Sequence, residues 1–156
     1  MQELTLETPF RKTHKNLESR YLNPTLEFAD CPVEATLGVL GKKWTILIIR
    51  DIGVYARDRF NRLLKSLPGI PPKMLATRLK ELEKEGFVEK YIERSRPPKV
   101  IRWSLTEKGL DAIRIGMMVG AFGAKWHSDR VFYDKRPRTI RELYDDEGIE
   151  LLMRGF

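Results

Sequence analysis

The sequence predicts a mainly α-helical fold with one short β-hairpin set between two of its helices, on three observations. Apolar residues recur at helical spacing in successive runs up to residue 84, short strand-like runs follow Gly86, and Thr106 then opens a long helical run. Proline and glycine stand between the runs, where helices start and stop.

Taken in order, residues 1–30 read as a mostly polar N-terminal extension, with Asn23-Pro24 as a helix cap and first-turn proline. Cys31-Pro32 opens the next helix, which carries Val33, Leu37 and Leu40 and stops at Gly41. The run from Trp44 to Ile52 is denser in apolar residues and reads as a central buried helix that exits at Gly53. Phe60-Asn61 starts a helix with Leu63, Leu64 and Leu67, closed by Leu67-Pro68-Gly69. Pro71-Pro72 launches another, whose Leu75, Leu79 and Leu82 share one face and which ends at Gly86. Phe87–Glu93 and Val100–Leu105 are strand-like and are joined by a basic tip, Arg94-Ser95-Arg96-Pro97-Pro98-Lys99. A last long helix is expected over roughly 107–127, capped by Thr106. Residues 128–156 are mixed in pattern, and their acidic patch Asp145-Asp146-Glu147 reads as a solvated tail rather than a metal site. The chain thus divides into an extension (1–30), a domain (31–127) and a second extension (128–156).

A short helix, a Pro/Gly turn and an amphipathic helix make a helix-turn-helix, and the basic hairpin directly after it makes a winged one. This order suits duplex DNA. A major groove accepts one α-helix, which must anchor its apolar back and present polar side chains outward. Opposite Leu75, Leu79 and Leu82 fall Lys73, Thr77, Lys80 and Lys84, with Ala76 beside them. Lys73 and Thr77 sit nearest the N-terminal end, where the helix dipole favours phosphate. Arg94, Arg96 and Lys99 at the hairpin tip can follow the backbone or enter the minor groove. Lys42, Lys43, Arg62 and Arg78 are supporting phosphate contacts, of which Arg78 can instead hold the fold. An ordinary solvated face is the alternative for each of these charges. Their distribution argues against it: Lys and Arg (29) exceed Asp and Glu (22) by seven, and the segment Arg57–Trp103 alone carries that surplus, thirteen against six.

Other classes find little support. His14 and His127 have no ligand at metal spacing, and neither a phosphate-cradling glycine loop nor a nucleophile motif is present. No cofactor or metal is expected, and the chain does not read as an enzyme. One cysteine among 156 residues fits a reducing compartment, and the N-terminus lacks a secretory pattern, so cytoplasm is expected. The longest apolar stretch, 115–124, is far short of the ~20 residues that span a bilayer.

From Cys31 to about Trp126 the chain resembles the HxlR family of prokaryotic winged helix-turn-helix regulators, itself similar to MarR-like regulators. The landmarks are Cys31-Pro32-Val33-Glu34, Gly41-Lys42-Lys43-Trp44-Thr45, Arg59-Phe60-Asn61-Arg62-Leu63 and Leu67 through Leu75. Arg78-Leu79, Leu82-Glu83, Gly86-Phe87-Val88, Pro97 through Val100 and Ser104 through Gly109 complete them. The resemblance implies a homodimer that sets two recognition helices in successive major grooves of a pseudo-palindromic operator. It also implies, in some members, a sensor of electrophiles or oxidants at the place of Cys31. The family usually has serine where this chain has Pro71, so the recognition helix loses a side-chain cap worth roughly 1 kcal/mol unless Pro72 offsets it.

Two features stay open on the sequence. Cys31 is either a small buried hydrophobe or a sensor at a helix N-terminus. Gly116, Gly120, Ala121 and Ala124 allow close helix approach, either in the dimer interface, which the resemblance favours, or inside the monomer. The expectation is a regulator that binds duplex DNA sequence-specifically. The alternatives are a winged-helix protein-interaction module with weak, sequence-blind nucleic-acid binding, and an RNA-binding role. Whether a small-molecule effector exists is not legible.

Overall fold

The computed structural model describes residues 29–94 and 98–154. The expected elements between 31 and 127 are all present. Helix α1 spans Pro32–Leu40, α2 Thr45–Gly53, α3 Phe60–Ser66 and α4 Pro72–Lys84. Strands β1 (Val88–Glu93) and β2 (Val100–Leu105) follow, then α5 (Glu107–Trp126). The N-terminal helix expected around Asn23-Pro24 lies outside the described residues.

The core is built where the apolar periodicities of three helices converge. Ile48 and Ile49 of α2, Leu63 of α3, and Leu75, Leu79 and Leu82 of α4 are all buried, joined by Leu67, Ile70, Phe87 and Val88. Burying a side chain of this size is worth about 1.5–3 kcal/mol, so this cluster holds the helix-turn-helix together. Trp44 does not belong to α2 as expected. It caps the helix in the left-handed region at φ 80°, a conformation that costs a non-glycine residue about 1–2 kcal/mol. Its ring packs against the core, which offsets that cost.

The end of α4 and the start of the hairpin are one motif. Gly86 adopts φ +75°, its N–H bonds the Glu83 carbonyl at 3.1 Å, and the Phe87 N–H bonds the Leu82 carbonyl at 2.8 Å. This Schellman closure satisfies the last helical carbonyls and turns the chain into β1. β1 and β2 pair antiparallel, Val88 opposite Leu105 and Glu93 opposite Val100. The Thr106 hydroxyl accepts from the Gly109 N–H at 3.2 Å, capping α5 as expected. A Cβ at Gly109 would collide with the Phe87 carbonyl oxygen, so only glycine lets α5 cross the hairpin this closely.

Residues 128–154 continue in short helices. They form α6 (Ser128–Val131), α7 (Ile140–Leu143) and α8 (Asp146–Met153), and all three pack on α5. The acidic patch is the start of α8: Asp145 accepts from the Gly148 N–H at 2.8 Å, with Asp146 and Glu147 in the first turn. Carboxylates there complement the positive end of the helix.

Candidate nucleic-acid interface

The two faces of α4 are sharply different. Leu75, Leu79 and Leu82 are at most 2% exposed, whereas Lys73, Thr77, Lys80 and Lys84 on the other side are exposed and Ala76 is half-buried. Among the described residues Lys73, Lys80 and Lys84 have no ion-pair partner, so their charge faces solvent uncompensated. The Thr77 hydroxyl donates to the Lys73 carbonyl at 2.9 Å, which leaves its oxygen lone pairs as acceptors. At the N-terminus of α4 Pro71 is extended and provides no side-chain cap, as expected, and Pro72 occupies the first turn. The first-turn amides of Lys73 and Met74 have no intrahelical acceptor, and this end of the helix is positive.

The supporting cations separate into two kinds. The Arg78 side chain is only 15% exposed. Its Nε donates to the Lys43 carbonyl at 3.1 Å and its Nη1 to Glu81 at 2.8 Å. Lys42 reaches the same Glu81 at 3.3 Å. Desolvation pushes the Glu81 carboxyl up, but the hydrogen bonds from Lys42 and Arg78 outweigh it and hold its pKa below the ordinary value. Arg78 is therefore a brace between α4 and the turn before α2 rather than a free phosphate ligand, and Lys42 shares the brace. Lys43 stays exposed, its Nζ 5.0 Å from the centre of the Trp44 ring. Arg62 is also exposed, with Asp58 at 3.7 Å.

On the wing, Arg94 and Lys99 are exposed, and Arg96 lies outside the described residues. The base of the wing is tied down. Arg102 bonds Glu93 at 2.7 Å and also Asp58, and these two partners raise its pKa further. The Trp103 N–H donates to the Asp58 carbonyl at 2.9 Å, so the loop before α3 lies along β2.

A second network escaped the sequence reading. Asp51 is fully buried in α2, yet its carboxylate accepts from Arg50 at 2.7 Å, from Arg57 at 3.1 Å and from the Ser66 hydroxyl. It joins α2, the following loop and the end of α3. The signal was available: Asp51 lies three residues after Ile48 on the buried face, and a buried carboxylate requires donors nearby.

Within the chain, the small residues of α5 differ in their surroundings, and Gly120 is exposed. Ala124 is 2% exposed within the chain. A Cβ at Gly116 would touch Ile46, and one at Gly120 would meet the Tyr144 hydroxyl. Ala121 is half-buried. Toward its C-terminal half α5 also presents Met118, Val119, Phe122 and Trp126, each 55–62% exposed. Met118, Phe122 and Trp126 stand two positions on from Gly116, Gly120 and Ala124, about 200° round the helix and so on its other side. Cys31 is free and exposed within the chain.

Comparison with known proteins agrees with this architecture. Residues 39–131 match the model of the HxlR-like helix-turn-helix family. The chain is similar to the helix-turn-helix transcriptional regulator YdeP of Bacillus subtilis (strain 168), 34% identical over 105 residues, 67% of this chain and 80% of YdeP. It is also similar to the regulator YtcD of the same organism, 37% identical over 102 residues, 65% of this chain and 79% of YtcD. Among solved structures, a transcriptional regulator of the MarR family from Porphyromonas gingivalis W83 superposes with a TM-score of 0.53 at 29% identity, covering 64% of this chain and 96% of that one.

Proposed function

The chain belongs to the HxlR-like helix-turn-helix family and is a DNA-binding transcription regulator of that kind; we propose that it acts as a homodimer on a specific, pseudo-palindromic operator. The observation that carries the proposal is α4, with its buried leucines on one face and Lys73, Thr77 and Lys80 uncovered on the other. In this reading Lys73, Ala76, Thr77 and Lys80 line the major groove, and Arg94, Arg96 and Lys99 meet the backbone or the minor groove. Lys43 and Arg62 add phosphate contacts. The outward stripe Met118, Val119, Phe122 and Trp126 supports dimerisation through α5, since apolar residues exposed along one helix face are what a second copy would cover. The exposed thiol of Cys31 supports its reading as the point of attack for electrophiles. With one cysteine in the chain, any disulfide would join two copies. A cytoplasmic location follows from the same reading.

The test is titration against the DNA upstream of the protein's own gene and against a scrambled duplex at several salt concentrations. The expected result is a preference of ~10³ or more for the upstream DNA with a steep negative salt slope. Equal, weak binding to both duplexes would set aside operator recognition at that site and favour a protein-interaction role for the winged helix.

A further inference from the structure

We infer that the C-terminal segment builds a binding site for an apolar monocarboxylate, separate from the DNA face. Helices α7 and α8 form, with α5, a cleft of about 450 Å³ open to solvent on one side. Small-molecule sites usually measure roughly 300–1,000 Å³. Ile115 and Met118 of α5, Ile140 of α7, and Ile149, Leu152 and Met153 of α8 contribute its apolar wall, and Met118 also stands at the edge of the exposed α5 stripe. Among the described residues the only charged groups lining it are two guanidiniums, Arg114 of α5 and Arg141 of α7.

The charge arrangement selects the ligand. Arg114 is only 16% exposed and is held by Asp111 at 2.6 Å, so that pair is close to neutral overall. Arg141 is exposed and has no carboxylate partner among the described residues. One positive charge therefore stands uncompensated beside an apolar chamber. A guanidinium binds a carboxylate through two parallel hydrogen bonds, and an aliphatic or aromatic body can fill the space between the helices. A cation of the same size meets the uncompensated Arg141 guanidinium and, among the lining residues, no carboxylate. Five of the lining residues, Ile140, Arg141, Ile149, Leu152 and Met153, lie beyond residue 131, where the match to the family model ends. The site is thus an addition to the shared winged helix rather than a part of it.

The experiment is calorimetric titration of the full chain with decanoate and with decylammonium, which has the same tail and the opposite charge. The expected result is saturable decanoate binding at one site per chain, with decylammonium at least about tenfold weaker. Arg141→Gln should weaken decanoate by a similar factor while the thermal unfolding midpoint is unchanged, because Arg141 makes no ion pair in the described structure. Leu152→Trp, which fills the chamber, should abolish uptake. Absence of saturable binding, equal affinity for the two amphiphiles, or decanoate binding indifferent to Arg141→Gln would overturn the site. No DNA enters the titration, so its outcome is independent of that of the operator experiment.

Discussion

In the proposed DNA-bound arrangement, side chains on α4 and the wing do different work, and single substitutions should separate them. Thr77, facing outward near the start of α4, is placed to meet base edges, whereas Lys99 at the wing is placed to meet phosphates. Thr77→Val is expected to change the ratio of affinities for matched and mismatched operators by about 1–3 kcal/mol. Lys99→Ala should weaken all duplexes alike and flatten the dependence of log K on log salt by about one. Titrations of both variants against both duplexes check this; identical behaviour of the two would end the division of roles. The α4 face was legible in the sequence because a period of 3.6 converts residue spacing directly into faces. The anchoring polar groups were not. Asp51 takes donors six and fifteen residues away, and Arg102 bonds Asp58 across forty-four. No local pattern announces such pairings. Arg78 sits between these cases, since its type suited a phosphate contact and only the structure showed its donors turned inward.

Whole elements were legible in proportion to their length and their punctuation. The helix-turn-helix and the hairpin were bounded by Pro-Gly and Gly signals that the structure uses as turns and as the Schellman closure at Gly86. Helices of four residues, such as α6 and α7, are too short to show a period, so residues 128–156 show only a mixed pattern in the sequence. One local signal was present there: Thr139 and Glu142 have the spacing of a capping box. Glu142 accepts from the Thr139 N–H at 2.7 Å and from its hydroxyl at 2.8 Å, and these bonds hold its pKa below the ordinary value. A lowered carboxylate pKa contributes stability that is present above the unfolded value and is lost as pH falls through the folded one. Glu142→Ala should therefore lower the thermal midpoint at pH 7, and its difference from the parent should close as the pH drops below the carboxylate range. Paired melting curves across that range check it, and a difference independent of pH would count against this cap. On α5 the spacing of small residues was seen correctly, but spacing alone does not say which side of a helix meets the same chain.

For the molecule as a whole, the exposed α5 stripe sets the expected assembly. Val119→Arg or Phe122→Glu should convert a dimer to a monomer in analytical ultracentrifugation and, with it, remove most of the duplex affinity, because two linked half-sites gain from effective concentration. Retention of the dimer in both variants would move the interface elsewhere. The tie between Asp58 and the base of the wing, through the Arg102 side chain and the Trp103 amide, has one more consequence. The Glu83–Lys90 ion pair at 3.2 Å and the closure at Gly86 tie α4 to the same hairpin, so in each subunit of the proposed dimer the recognition helix and the hairpin base share one platform. Such a subunit is a ruler of constant length. Operators whose half-sites differ in separation would have to be accommodated at the seam between the two rulers, not by stretching either one.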